Sequence, residues 1–326
     1  NIAYVSKKKG EYQEALERYK TSGRLFYEAG YGAKYATAFD DIADTYFKMG
    51  QYRDAISYYK DAYEIKISLD DKSGAGFSTS NIGQAYWNLG NYDSAILFHR
   101  QAIALNKEVN DVVDMAYSYE KIAALWKESG SVDSAVSYYS IAQDLYISNN
   151  DTTDKLAKIK ESIGTVYYNV KNYDKAISYY ETSKKMYENI GNDIGIANGL
   201  YNLALCYYEI KSYEQARDYL LQAKAKYQYM EDKEQTMYVA IYLSLIQWNV
   251  NNDYKAAEKL MAEALLLAKE SNSLTNQGYT WRQLGWLKKA LGKFENAKNY
   301  FDSAYNAYQQ SGDYAGLGYT NIDIGL

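Results

Sequence analysis

Histidine occurs once in this chain, at His99, and cysteine once, at Cys206. A serine or cysteine triad needs a histidine base, so any such site would have to run through His99. A single cysteine excludes an internal disulfide and any cysteine-based metal cluster, and Cys206 stands among apolar residues, as a buried, inert thiol would. Carboxylates are adjacent at Asp40-Asp41 and Asp70-Asp71, positions that suit a helix start or a link, where an acid caps free amide hydrogens. Gly74-Ala75-Gly76 and Gly316-Leu317-Gly318 both lack the lysine of a phosphate loop. These residues give no reason to expect an enzyme or a cofactor.

The residues that recur are of another kind. Alanine returns at Ala15, Ala55, Ala95, Ala135, Ala176, Ala216, Ala257 and Ala297, in steps of 40 or 41 residues. Three positions before it stands an aromatic ring in all but one case: Tyr12, Tyr52, Tyr92, Tyr173, Tyr213, Tyr254 and Phe294, with Val132 the exception. Two residues earlier still come Gly10, Gly50, Gly90, Gly130 and Gly292, replaced in the middle of the chain by Lys171, Lys211 and Asn252. A fixed period of this length marks a stack of repeats, each burying the face its neighbour leaves bare. His99 fits that frame, since Tyr19, Tyr59, Tyr139, Tyr180 and Phe301 hold its position elsewhere. It reads as a packing residue.

Composition agrees with helices. The 326 residues include 40 tyrosines and no proline, and proline is the residue that breaks helix interiors. So many phenols suit half-buried seams, where the ring is covered and the hydroxyl reaches water or a partner. The formal net charge is −5, and the longest basic run is Lys7-Lys8-Lys9, so the basic face that nucleic acid requires is missing. No run of 18 apolar residues exists to cross a membrane. The chain opens on Asn1, so a leader removed earlier stays open, as do both cytoplasm and periplasm.

One repeat shows how the parts fit. Phe77, Ile82, Ala85, Tyr86 and Leu89 make an apolar stripe that predicts a first helix over 74–89. Gly90-Asn91 supplies the turn, and a second helix over 92–107 buries Ala95, Ile96, Ala102, Ile103 and Leu105. Ala95 is small because two helix backbones approach closely there. Polar links such as Asp70-Asp71, Asn110-Asp111 and Gly191-Asn192-Asp193 join the repeats and offer helix caps. The extra residue of each 41-residue step is expected in these links, where insertion costs least.

The order Ile82-Gly83, Tyr86, Gly90, Tyr92, Ala95, His99, Ala102 resembles the tetratricopeptide repeat. The same frame fits Ile42-Ala43, Tyr46, Gly50, Tyr52, Ala55, Tyr59, Ala62, and again Leu284-Gly285, Gly292, Phe294, Ala297, Phe301, Ala304. Its period of 40 is similar to the longer-helix subclass of Leu-Gly-Asn repeat scaffolds and of sensor segments in bacterial signalling proteins. The resemblance implies an all-α fold, an α-α superhelix of antiparallel helix pairs. It would form a single array over 1–326, with seven complete repeats over 34–312 and partial ones at 1–30 and 313–326. Ending in mid-helix at Ile322, Ile324, Gly325 and Leu326, the chain is expected to be a module of a longer protein, with uncapped ends through which two copies could pair.

In that family the first helices line a concave groove. Carried over by position, the wall takes Asp40, Asp44 and Phe47, then Phe77, Gln84 and Trp87, then Tyr117 and Glu120, then Glu161 and Tyr168. It continues with Tyr201 and Tyr208, then Tyr242, and ends with Tyr279, Arg282, Trp286 and Lys289. Tyr, Trp and Arg dominate binding hot spots, and the charge of this wall passes from acidic to basic along the chain. Acids at the early positions disfavour the family's carboxylate clamp and favour a ligand with a basic segment. The expectation is a non-enzymatic protein- or peptide-binding scaffold, the sensor or interaction module of a signalling protein. A peptide-pheromone receptor, or a sugar binder stacking on Trp87 and Trp286, stays open as the alternative.

Overall fold

A computed structural model describes residues 2–150, 154–250 and 252–325. They group into two compact units, Asn1–Lys171 and Asn172–Leu326, which are taken separately. The N-terminal unit holds α1 (Ile2–Lys9), α2 (Tyr12–Glu28), α3 (Gly32–Lys48), α4 (Tyr52–Ser68), α5 (Lys72–Asn88), α6 (Tyr92–Glu108), α7 (Val112–Glu128), α8 (Val132–Ser148) and α9 (Asp154–Asn169). The C-terminal unit holds α10 (Tyr173–Ile190), α11 (Asp193–Glu209), α12 (Tyr213–Tyr229), α13 (Lys233–Asn249), α14 (Tyr254–Glu270), α15 (Leu274–Ala290), α16 (Phe294–Ser311) and α17 (Tyr314–Gly325). No strand occurs among the described residues. Within each unit every helix packs on its neighbours in sequence, as antiparallel pairs in a superhelical repeat fold do.

The chain reverses in the same way at each junction. One residue in the left-handed region turns the backbone, a glycine in half the junctions and a residue with a side chain in the rest. The lysines at the glycine position of the frame keep this conformation, with φ of 60° at Lys171 and 64° at Lys211. A side chain there costs about 1–2 kcal/mol, partly offset by glycine's greater freedom in the unfolded chain. Lys211→Gly is therefore expected to stabilise the C-terminal unit by about 0.5–1 kcal/mol, read as a higher urea midpoint. A lower midpoint would mean that the Lys211 side chain is needed.

The caps form as the links predict. Asp71, Asp111, Asn192, Asp232, Ser273 and Asp313 each accept a backbone N–H three residues on, at 2.8–3.2 Å. All eight recurrent alanines are buried. In the C-terminal unit Ala204 and Ala216 share a cluster with Leu200, Leu220, Ala223 and Tyr227. A larger side chain at these alanines would push the helices apart.

One expectation needs correction. Glu231 and Asn252, the left-handed residues on either side of α13, are 21 positions apart, whereas the link before α13 has its ordinary length. The second 41-residue step thus places its extra residue in the turn inside the pair, because any exposed turn tolerates insertion. For the first such step, the place of the extra residue lies outside the described residues.

Candidate functional site

The wall positions fall on first helices as the frame requires, but the structure commits several of them to internal partners. In the N-terminal unit Asp40 of α3 is buried and paired with Lys66 of α4. Ser78 Oγ of α5 donates to the same carboxylate at 2.7 Å. The Lys66 ammonium also reaches Ser78 Oγ at 2.9 Å and the Gly74 carbonyl at 3.1 Å. Burial pushes the Asp40 carboxyl above its usual range, and the Lys66 charge pulls it back. Asp44 accepts from the Tyr59 hydroxyl and lies 3.7 Å from Lys7 Nζ, which also contacts Asp41 at 3.3 Å. Glu120 faces Lys158 at 3.8 Å.

Asp40 is thus committed to a buried internal pair, whereas Asp41 and Asp44 share the single charge of Lys7. Asp40 is therefore withdrawn from contact with any basic ligand segment. The signal missed in the sequence was Lys66, a second-helix position occupied by Tyr146, Tyr187 and Tyr227 in later repeats.

The rings behave differently. Phe77 remains 45% exposed and Tyr117 36% exposed, on the neighbouring first helices α5 and α7. Trp87 and Gln84 on α5 are half-buried, and Trp87 Nε1 donates to Glu128 at 2.9 Å. Phe47 packs edge-on against Tyr52, with ring centres 5.2 Å apart. Glu161 and Tyr168 are half-buried on α9.

In the C-terminal unit Tyr201 and Tyr208 both pack edge-on against Tyr242, at 6.0 and 5.6 Å. Tyr279 leans on Tyr238 at 5.7 Å. These four wall tyrosines are half-buried, and burial holds the phenols of Tyr201, Tyr208 and Tyr279 above their ordinary value. At the basic end Arg282 has a partner that the wall pattern did not include. Asp323 of α17 pairs with Arg282 and accepts from Trp286 Nε1 at 3.2 Å. Trp286 also meets Phe301 edge-on at 6.0 Å, and Lys289 Nζ lies 4.8 Å from its ring centre.

His99 is fully buried between α5 and α6, over Gly83. Burial lowers its pKa to about 3, with Lys121 adding to the effect, so the ring is neutral at physiological pH. Cys206 is buried too, and desolvation pushes its thiol up to about 12. Among the described residues, no group of three or more His, Cys, Asp or Glu is placed to hold a metal ion, and no helix is long and apolar enough to cross a membrane.

Alternating helices, the buried alanines and the turn geometry define a tetratricopeptide repeat protein. The tetratricopeptide repeat family matches residues 1–68 and 155–228, 78–112 and 279–311, and the chain belongs to it. No curated protein matches the sequence.

Among solved structures, one that it resembles is a signal transduction ATPase with numerous domains bearing a tetratricopeptide repeat sensor, from Pyrococcus horikoshii. The TM-score is 0.68 at 19% identity, over 92% of this chain and 46% of that one. The apo form of the quorum sensor NprR from B. thuringiensis gives 0.67 at 15% identity, over 94% and 86%. A Rap protein complexed with Competence and Sporulation Factor gives 0.54 at 15% identity, over 97% and 96%. At such identities the likeness is one of fold.

Proposed function

We propose that the chain is a binding scaffold that takes a peptide, or an extended segment of a protein, on the first-helix walls of its repeats. The observation that carries this is the recurrence of partly exposed rings at the wall positions of successive first helices. Phe77, Trp87, Tyr117, Tyr201, Tyr208 and Tyr242 all stand on first helices and keep part of their surface in solvent. Rings left bare at regular spacing on one face offer a ligand large contact area at little entropic cost.

Two similar structures support the reading by their own descriptions, a quorum sensor and a Rap protein complexed with Competence and Sporulation Factor. The sensor segment of the signal transduction ATPase supports a role as one module of a signalling protein. A sugar platform is less well supported. The indole N–H groups of Trp87 and Trp286 are both committed within the chain, to Glu128 and Asp323.

The test is selection of random dodecapeptides on the immobilised chain, followed by affinity measurement. Phe77→Ala with Tyr117→Ala is expected to weaken the selected peptides at least about tenfold, at unchanged circular dichroism. Tyr201→Ala with Tyr242→Ala applies the same test to the C-terminal unit. Peptides that bind wild type and both double variants equally would remove the walls from consideration. Asp40→Lys would be a poor probe, since it breaks a buried ion pair before it touches any ligand.

A further inference from the structure

The second-helix position held by Tyr146, Tyr187, Tyr227 and Tyr308 in later repeats is filled in α6 by Asn106. The Tyr308 ring lies against two glycines, Gly278 on the first helix of its own pair and Gly316 on the next helix. Around Asn106 the matching positions are Gly76 on α5 and Asp114 on α7. A carboxamide is much smaller than a phenol, and beside it opens a cavity of about 160 Å³ lined by Gly76, Phe77, Ser80, Asn81, Asn106, Asp114 and Tyr117. That is far more than one water needs.

Asn106 is fully buried, and neither its Oδ1 nor its Nδ2 has a hydrogen-bond partner. Its amide lies directly over Gly76, where any Cβ would collide with it. A buried group with both a donor and an acceptor unpaired costs the folded state heavily unless something arrives to satisfy it. At the other polar variant of this position, Lys66, the chain supplies its own partners in Asp40 and Ser78. The residues at the corresponding places around Asn106 are Ser80 and Ser118. Those two hydroxyls lie 3.5 Å apart, and Ser80 Oγ is 3.2 Å from His99 Nδ1.

We infer that this cavity is a recognition pocket for a side-chain carboxamide, glutamine or asparagine, of a peptide lying across α5 and α7. The inference rests on the peptide-binding reading above. A carboxamide presents one acceptor and a pair of donors, so it satisfies both orphaned Asn106 atoms at once, whichever way the amide faces. A carboxylate supplies no donor, and an ammonium or guanidinium supplies no acceptor. The second N–H of the ligand amide has Asp114 as its acceptor. The exposed rings of Phe77 and Tyr117 form the rim, against which the ligand's methylene groups rest.

Four labelled heptapeptide pools, degenerate except for a central Gln, Glu, Lys or Leu, decide the matter by fluorescence polarisation with the full chain. The Gln pool is expected to bind at least about tenfold tighter than the other three. Asn106→Leu, which replaces both unpaired atoms by methyl groups on the same branched frame, is expected to raise the melting temperature and erase that preference, with residual binding through the rims kept. Equal binding by all four pools, or a preference that survives in Asn106→Leu, overturns the pocket while leaving the wall in place. Binding by none of the pools overturns both. Should Asn106→Leu fail to fold, the side-chain ¹⁵N resonance of Asn106 in the wild type serves instead. It must shift with a selected Gln peptide and stay still with its norleucine analogue, and the reverse result sinks the assignment.

Discussion

Lys66→Met is expected to destabilise the N-terminal unit by about 3–5 kcal/mol, the usual loss when one partner of a buried ion pair is removed. Methionine keeps much of the lysine stem's volume, so the loss is electrostatic more than steric. The Asp40 carboxylate would then remain buried with only Ser78 Oγ, at 2.7 Å, donating to it. Protonation offers it an escape, because burial already pushes this carboxyl upward and the removal of the Lys66 charge lets it climb further. The destabilisation should therefore shrink as pH falls from 7 towards 5.

Asp40→Leu combined with Lys66→Met removes both charges and is expected to recover most of the loss. Urea unfolding of the single and double variants at pH 7 and pH 5 gives all four values. A single-variant loss below about 1 kcal/mol would show that water reaches the pair and screens it. A double variant as unstable as the single would assign the effect to packing.

His99→Phe should leave stability at pH 7 within about 1 kcal/mol of wild type, the lost Ser80 contact offsetting the removal of an unpaired nitrogen, and make the protein markedly more resistant to acid. In the folded chain burial holds the imidazole neutral down to about pH 3, whereas in the unfolded chain it takes up a proton near 6.5. Below pH 6.5 the unfolded state binds more protons than the native state, so stability falls with pH by about 1.4 kcal/mol per unit. The loss ends near pH 3, where the folded ring protonates as well.

Between pH 7 and 4.5 the wild type should thus lose about 2–3 kcal/mol that His99→Phe retains. The substitution also removes Nε2, a buried nitrogen with no hydrogen-bond partner, and gives up the 3.2 Å contact of Nδ1 with Ser80 Oγ. Its ring should lie over Gly83 as Phe301 lies over Gly285. Carboxylates titrating in the same range affect both proteins alike, so the difference between the two urea curves isolates the imidazole. Parallel curves would mean that the His99 cavity admits water and the ring titrates normally.

Period and residue size alone were enough to fix the helix pairs. Ala55 and Ala95 mark where backbones approach, Gly50 and Gly90 where the chain turns left-handed, and Asp71 and Asn192 where helices begin. Each of these is a local demand, of volume, of φ or of a free amide, that a residue type meets by itself. The burial of His99 was legible for the same reason, since its position recurs as Tyr59, Tyr139 and Phe301. The wall was legible as a set of positions but not as a surface.

Whether Asp40 is a free acid or one half of a buried pair depends on Lys66, 26 residues away, and whether Arg282 is free depends on Asp323, 41 residues away. Periodicity shows which residues share a helix face. It does not show which charge a side chain from the next helix will neutralise, because that depends on reach and burial across a packed seam. Asn106 is the clearest case. Its departure from the tyrosine pattern is visible in the chain, but only the packed helices show the hole left behind and the amide with nothing to bond.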